Sequence, residues 1–182
     1  MDRLIPLEPL SQVAFDHAET VAGQGTIAIE LDTQLPDIDT VLVAIGGGGF
    51  IGGIAAWLSG RVKVVAVEPM NCPTLNRALQ ARVPVDVETS GIAADALGCK
   101  RIGDVPFSIL LSAVADAVLV SDEQIRHAQE ALWAQLRIVS ERGGATALAA
   151  LLSGAYVRSP GEKIAVIICG GNADPASFAR GI

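Results

Sequence analysis

Aromatic side chains make up only 4% of the 182 residues, although apolar residues make up 51%. A core nearly without rings has to be filled by Ala, Val, Ile and Leu. That argues against an aromatic-rich β-sandwich and, with 19 glycines, favours buried parallel strands covered by helices. Cationic side chains are also few, 13 against 20 acidic ones, for a net charge of −7. No run of five basic residues occurs, so a nucleic-acid backbone is not the expected partner. Cysteine is limited to Cys72, Cys99 and Cys169, an odd, scattered set without a C-x-x-C pair. This pattern reads as reduced thiols in a cytoplasmic protein, not a disulfide scaffold or a zinc site. The first six residues lack the apolar stretch of a signal peptide. Residues 41–58 carry no polar side chain and are long enough to cross a bilayer, but Gly46 to Gly49 interrupt them. Each interior glycine costs a helix about 1 kcal/mol relative to alanine, so a strand, a turn and a helix are expected there, and no membrane span.

What is present follows an α/β rhythm. Residues 40–45 and 62–67 are short apolar, β-branched runs and read as buried strands, as do 117–120 and 164–168. Helices are expected at 50–58, 73–80, 107–113 and 145–152, while 83–99 is irregular. Residues 27–31 fit a short helix or a strand equally. Ser121 with Gln124 three positions later forms a capping box. Ile125, Ala128, Leu132, Leu136 and Val139 then recur at helical spacing as one core-facing stripe. Gly143-Gly144 is read as a break, and Gly154 as a helix C-cap. Without repeats or a long polar linker, residues 1–182 are one domain: an open, mostly parallel sheet with helices on both faces.

Four consecutive glycines between a strand and a helix have a chemical use. Their amides can converge on one point, reinforced by the positive end of the helix dipole, and the ligand this favours is a phosphate dianion. Gly47-x-Gly49-x-x-Gly52, with Glu68 about twenty residues on, also satisfies the dinucleotide fingerprint, so an NAD-type module is one reading. His17 and His127 are isolated and are assigned structural roles.

Five motifs then occur in order: Gly23-Gln24-Gly25-Thr26, VLVAIGGGGFIGG from Val41 to Gly53, Val67-Glu68-Pro69, Glu141-x-Gly143-Gly144-Ala145, and Cys169-Gly170-Gly171-Asn172. The series resembles the second half of the threonine dehydratase, serine dehydratase and serine racemase family, and it covers residues 14 to 175. The resemblance implies the fold shared with the tryptophan synthase β subunit and favours pyridoxal phosphate over a dinucleotide. It implies a lyase giving a 2-oxo acid and ammonia from L-threonine or L-serine. Carried over by position, Gly46, Gly47, Gly48, Gly49 and the backbone of Phe50 match the phosphate cradle. Cys169 matches the neutral residue beside the pyridine nitrogen, and Glu141 an acid near the cofactor. In metal-dependent relatives the acid matching Glu68 binds a cation with a second carboxylate a few residues later. Cys72, Pro73 and Thr74 stand there instead, so no metal is expected, and Glu68 is read as a solvated or helix-capping acid.

The sequence departs from the family in other ways. Arg142 replaces a usual Pro, and Ala93-Ala94-Asp95-Ala96 stands where many relatives have Ala-Asp-Gly. The only lysines are Lys63, Lys100 and Lys163, and none fits the motif that carries the cofactor-bound lysine, which lies far upstream in relatives. No catalytic residue is therefore assigned, and the chain is expected to be inactive by itself. It is read as the C-terminal part of such an enzyme, with residues 1–13 suited to a new start. Expected partners are a second copy, as in a homodimer, or a complementing N-terminal half. A non-catalytic interaction fragment is the remaining alternative.

Overall fold

The computed structural model describes residues 14–174 and 176. After a 3-10 turn at Ala14–Asp16, the elements run α1 (Ala18–Gln24), α2 (Thr26–Gln34), β1 (Thr40–Ala44), α3 (Gly49–Leu58), β2 (Lys63–Pro69) and α4 (Thr74–Ala81). They continue with α5 (Ala94–Leu97), α6 (Asp104–Ala113), β3 (Val114–Val120), α7 (Asp122–Ala131), a π-turn at Leu132–Leu136, α8 (Arg142–Leu152) and β4 (Ile164–Val166). The segment expected to suit a new start, 1–13, lies outside the described residues.

The four strands form one parallel sheet in the order β3-β2-β1-β4. Alternation along β1 explains its unbroken apolar run. Val41 and Val43 face one core, built with Ile51, Ile54 and Leu58 of α3 and Leu110 of α6. Leu42 and Ala44 face a second core, built with Ile125 and Ala128 of α7 and Ala145, Ala147, Ala149 and Ala150 of α8. A strand covered on both faces has no polar side, and period two becomes invisible in its sequence. The alanines of α8 let that helix lie close on the sheet.

Several expectations change in the structure. Residues 27–31 are helical, within α2. A short helix, α5, interrupts the irregular 83–99 stretch. The stripe on α7 ends early: beyond Leu132 the chain opens into the π-turn and Arg137 takes a left-handed φ of 57°, so Leu136 is 63% exposed. Ser121 and Gln124 do form the reciprocal capping box. Gly143 and Gly144 do not break the chain but sit in the first turn of α8. A Cβ on Gly144 would run into the carbonyl oxygen of Cys169, so the helix passes over that segment only because the position is glycine. Gly154 lies just past the C-cap residue Ser153, at φ 73°. No described helix is long and apolar enough to cross a membrane.

Candidate functional site

The chain lays down β1, β2 and β3 in one direction and then crosses back to place β4 on the other side of β1. Loops leaving β1 and β4 therefore diverge, and a crevice opens outside their carboxyl ends. This is where parallel α/β sheets seat ligands. A cavity of 290 Å³ occupies the crevice, lined by Gly46, Gly47, Gly48, Phe50, Glu141 and Cys169 together with Phe15, Ala96, Leu97 and Cys99. That is the low end of the roughly 300–1,000 Å³ range of small-molecule pockets, room for one substituted ring.

Six of the seven residues singled out from the sequence thus meet around one space. The seventh, Gly49, is the first residue of α3 and is packed against Phe15. Gly48 takes φ 96°, a left-handed geometry that turns the chain from strand into helix. The carbonyls of Gly47 and Gly48 are engaged by Gly103 N–H at 3.1 Å and Gly52 N–H at 2.8 Å. Among the described residues no main-chain carbonyl outside the helix takes an amide from Gly46 to Phe50. The amides of Gly46, Gly48, Gly49 and Phe50 are left unspent at the entry to α3, while the Gly47 N–H donates to the Cys99 sulphur. Such donors fit a phosphate ester.

On the β4 side, Glu141 stands at the N-cap position of α8 and its N–H donates to the Gly170 carbonyl at 3.0 Å, while its carboxylate packs on Gly170, held at φ 67°. The Glu141 carboxylate thus lies close to Cys169. Burial first, and the Glu141 charge second, push the Cys169 thiol above its ordinary range. Burial likewise raises Cys99 and Cys72. All three are therefore expected to react slowly with Ellman's reagent at pH 7.5 and rapidly in urea. One thiol reacting in native protein at the rate of free cysteine would contradict this environment.

Phe15, Ala96, Leu97 and Cys99 were not singled out as site residues from the sequence. Phe15 carries no local signal, since it reaches the loop through tertiary packing from more than thirty positions away. Ala96 sits within the Ala93-Ala94-Asp95-Ala96 departure, a motif difference that did mark the region. His17 precedes α1 and His127 lies on the exposed side of α7, and neither lines the cavity. Among the described residues no three His, Cys, Asp or Glu side chains are grouped to hold a metal.

Glu68 is not solvated and lies outside the cavity. It is fully buried, and its two oxygens accept from Leu75 N–H at 2.6 Å and Asn76 N–H at 2.8 Å, capping α4. The dinucleotide reading thereby loses the acid meant for a ribose. Lys63 and Lys163 lie at the opposite, amino end of the sheet, where Lys63 Nζ donates to Tyr156 at 3.0 Å and Lys163 pairs with Asp37 at 3.5 Å. Lys100 is exposed and does not line the cavity.

A switch-point crevice lined by the glycine loop on one side and by a thiol and a carboxylate on the other is the kind of site in which α/β proteins seat small ligands. Residues 9–170 match the family of pyridoxal-phosphate dependent enzymes, and the chain belongs to it. It is 38% identical over 164 residues to the biosynthetic L-threonine dehydratase of Pasteurella multocida, covering 87% of this chain and 32% of that protein. It is 37% identical over 166 residues to the catabolic L-threonine dehydratase of Escherichia coli, covering 88% and 50%. The processed threonine deaminase isoform 2 of Solanum lycopersicum superposes with a TM-score of 0.82 at 28% identity, over 91% of this chain and 47% of that one. The chain spans a third to a half of these proteins, and the parallel α/β architecture is the one they share.

Proposed function

We propose that this chain is the cofactor-seating part of a threonine or serine ammonia-lyase. The observation that carries the reading is the glycine loop before α3, with main-chain amides left unspent, lining the cavity that Cys169 and Glu141 also line. Gly46 to Phe50 would hold the phosphate of pyridoxal phosphate, with the positive end of the α3 dipole behind them. When bound, the cofactor supplies an electron sink for β-elimination from a hydroxy amino acid, giving a 2-oxo acid and ammonia. Cys169, kept neutral by burial, would not hold a proton on a pyridine nitrogen as a carboxylate would. Glu141 orients the Cys169-Gly170 turn from the other side. L-threonine and L-serine are the proposed substrates, by analogy with the relatives.

The proton-moving lysine is assigned to residues outside this sequence, because Lys63 and Lys163 are tied down at the far end of the sheet and Lys100 faces solvent. Exposed apolar side chains at Leu136, Ile138 and Val157 are consistent with contact to further polypeptide, a second copy or a complementing half. The purified chain with pyridoxal phosphate and L-threonine is expected to release no 2-oxobutyrate above the cofactor-only blank. Turnover by this chain alone would refute the assignment of the lysine.

A further inference from the structure

The tetraglycine run serves a packing need of its own. A Cβ on Gly47 would strike three ring carbons of Phe15, and one on Gly49 would lie 2.7 Å from the Phe15 carbonyl oxygen and 2.9 Å from its Cβ. Phe15 belongs to the 3-10 turn Ala14–Asp16, which is tied to α6 by its next residue. Asp16 Oδ1 accepts from Val105 N–H at 2.8 Å and abuts Gly103, where a Cβ would lie 2.6 Å from that oxygen. Gly103 N–H in turn donates to the Gly47 carbonyl at 3.1 Å. Phe15, Gly47, Gly103 and Asp16 thus close a circuit around the loop, and Phe15 and Gly47 also line the cavity.

We infer that Phe15 is a positioning residue for the phosphate seat. A four-glycine loop has more backbone freedom than any other sequence of its length, and ordering it opposes binding. Clamped between the Phe15 ring and Gly103, the loop has its amides arranged before any ligand arrives, and the ordering is part of folding. The ligand class concerned is a phosphate monoester dianion. Phe15 would contribute more to affinity for the phosphate than for the ring. This rests on the reading of the cavity as a pyridoxal-phosphate seat.

The test compares pyridoxine 5′-phosphate with pyridoxine, which lack the aldehyde and so cannot form imines with surface lysines. Dissociation constants are measured by calorimetry on the whole chain, its Phe15→Ala variant and its Phe15→Leu variant, with urea unfolding to verify that each is folded. The unaltered chain is expected to prefer the phosphate ester at least about tenfold. Phe15→Ala should reduce that preference to less than about threefold, the phosphate ester losing more affinity than pyridoxine, and Phe15→Leu should fall between. Folded Phe15→Ala with full preference, or equal loss for both ligands, overturns the inference. Should Phe15→Ala not fold, Phe15→Leu decides, and an unaltered preference there overturns it. No preference in the unaltered chain sinks the seat itself, and the role of Phe15 with it.

Discussion

Replacing Gly144 by alanine is expected to cost at least about 3 kcal/mol, beyond the ordinary range for an added methyl group in a core. The added Cβ would fall on the Cys169 carbonyl oxygen and against Ser140 Oγ. The main-chain obstacle cannot rotate aside as a side chain would. Residues 168–170 are also tied to α8 by the Glu141 N–H bond to the Gly170 carbonyl. Either α8 rises from the sheet, uncovering Ala145, Ala147, Ala149 and Ala150, all fully buried, or the strand end moves. Against a total stability of about 5–15 kcal/mol this is a large fraction, and it displaces Glu141 and Cys169 together. Gly23→Ala is the control, since Gly23 is within α1 and a Cβ there meets nothing within 4 Å. It should stabilise by up to about 1 kcal/mol. Urea midpoints read both, and a Gly144→Ala midpoint equal to the parent's would mean α8 does not sit on Cys169.

Glu68 governs the second large effect, on pH dependence. Complete burial pushes its carboxyl from 4.5 up to about 7, against the opposing pull of the Leu75 and Asn76 amides. The folded state therefore binds this proton more tightly than the unfolded chain. Its contribution is fully present below about pH 4.5 and is lost as pH rises through about 7, an amount of about 3 kcal/mol at 1.4 kcal/mol per pH unit. Glu162 has the opposite sign: hydrogen bonds from Thr40 and Tyr156, each 2.5 Å, hold it near 2, so its contribution is lost as pH falls from 4.5 toward 2. Between them the two groups favour the mildly acidic range. Glu68→Gln places an amide N–H₂ against one cap donor, so it should destabilise by about 1–3 kcal/mol at pH 5. It should also flatten the decline in urea midpoint between pH 5 and pH 8. A variant that keeps the parental slope would show that Glu68 is not the group titrating.

The positions of the strands and most helices were legible because their signals are local. Residues 40–45 could hardly be anything but a buried strand, and the Ser121–Gln124 box marks the start of α7 through bonds made within one turn. The end of that helix was not legible. Leu136 and Val139 keep helical spacing, yet the chain passes into a π-turn at Leu132–Leu136 and Leu136 is left exposed. Glycine pairs misled for a related reason. Gly143-Gly144 looks like a break in a linear text, and only the passage of Cys169 beneath α8 explains why small residues are wanted in a helix. Of the solvated and helix-capping roles the sequence left open for Glu68, the α4 amides on both oxygens select the cap.

By itself the sequence determined the layer architecture, the glycine bend after β1 and the motif series that marks the family, since periodicity and backbone freedom are properties of neighbouring residues. The tertiary structure alone decided that β4 returns beside β1, the crossover by which Cys169 and Glu141, placed near the glycine loop only by the family resemblance, reach the same cavity. It also decided that Phe15 fills the space beside Gly47 and Gly49. Contacts between residues from thirty to more than a hundred positions apart depend on where the sheet crosses over, and no local pattern encodes that.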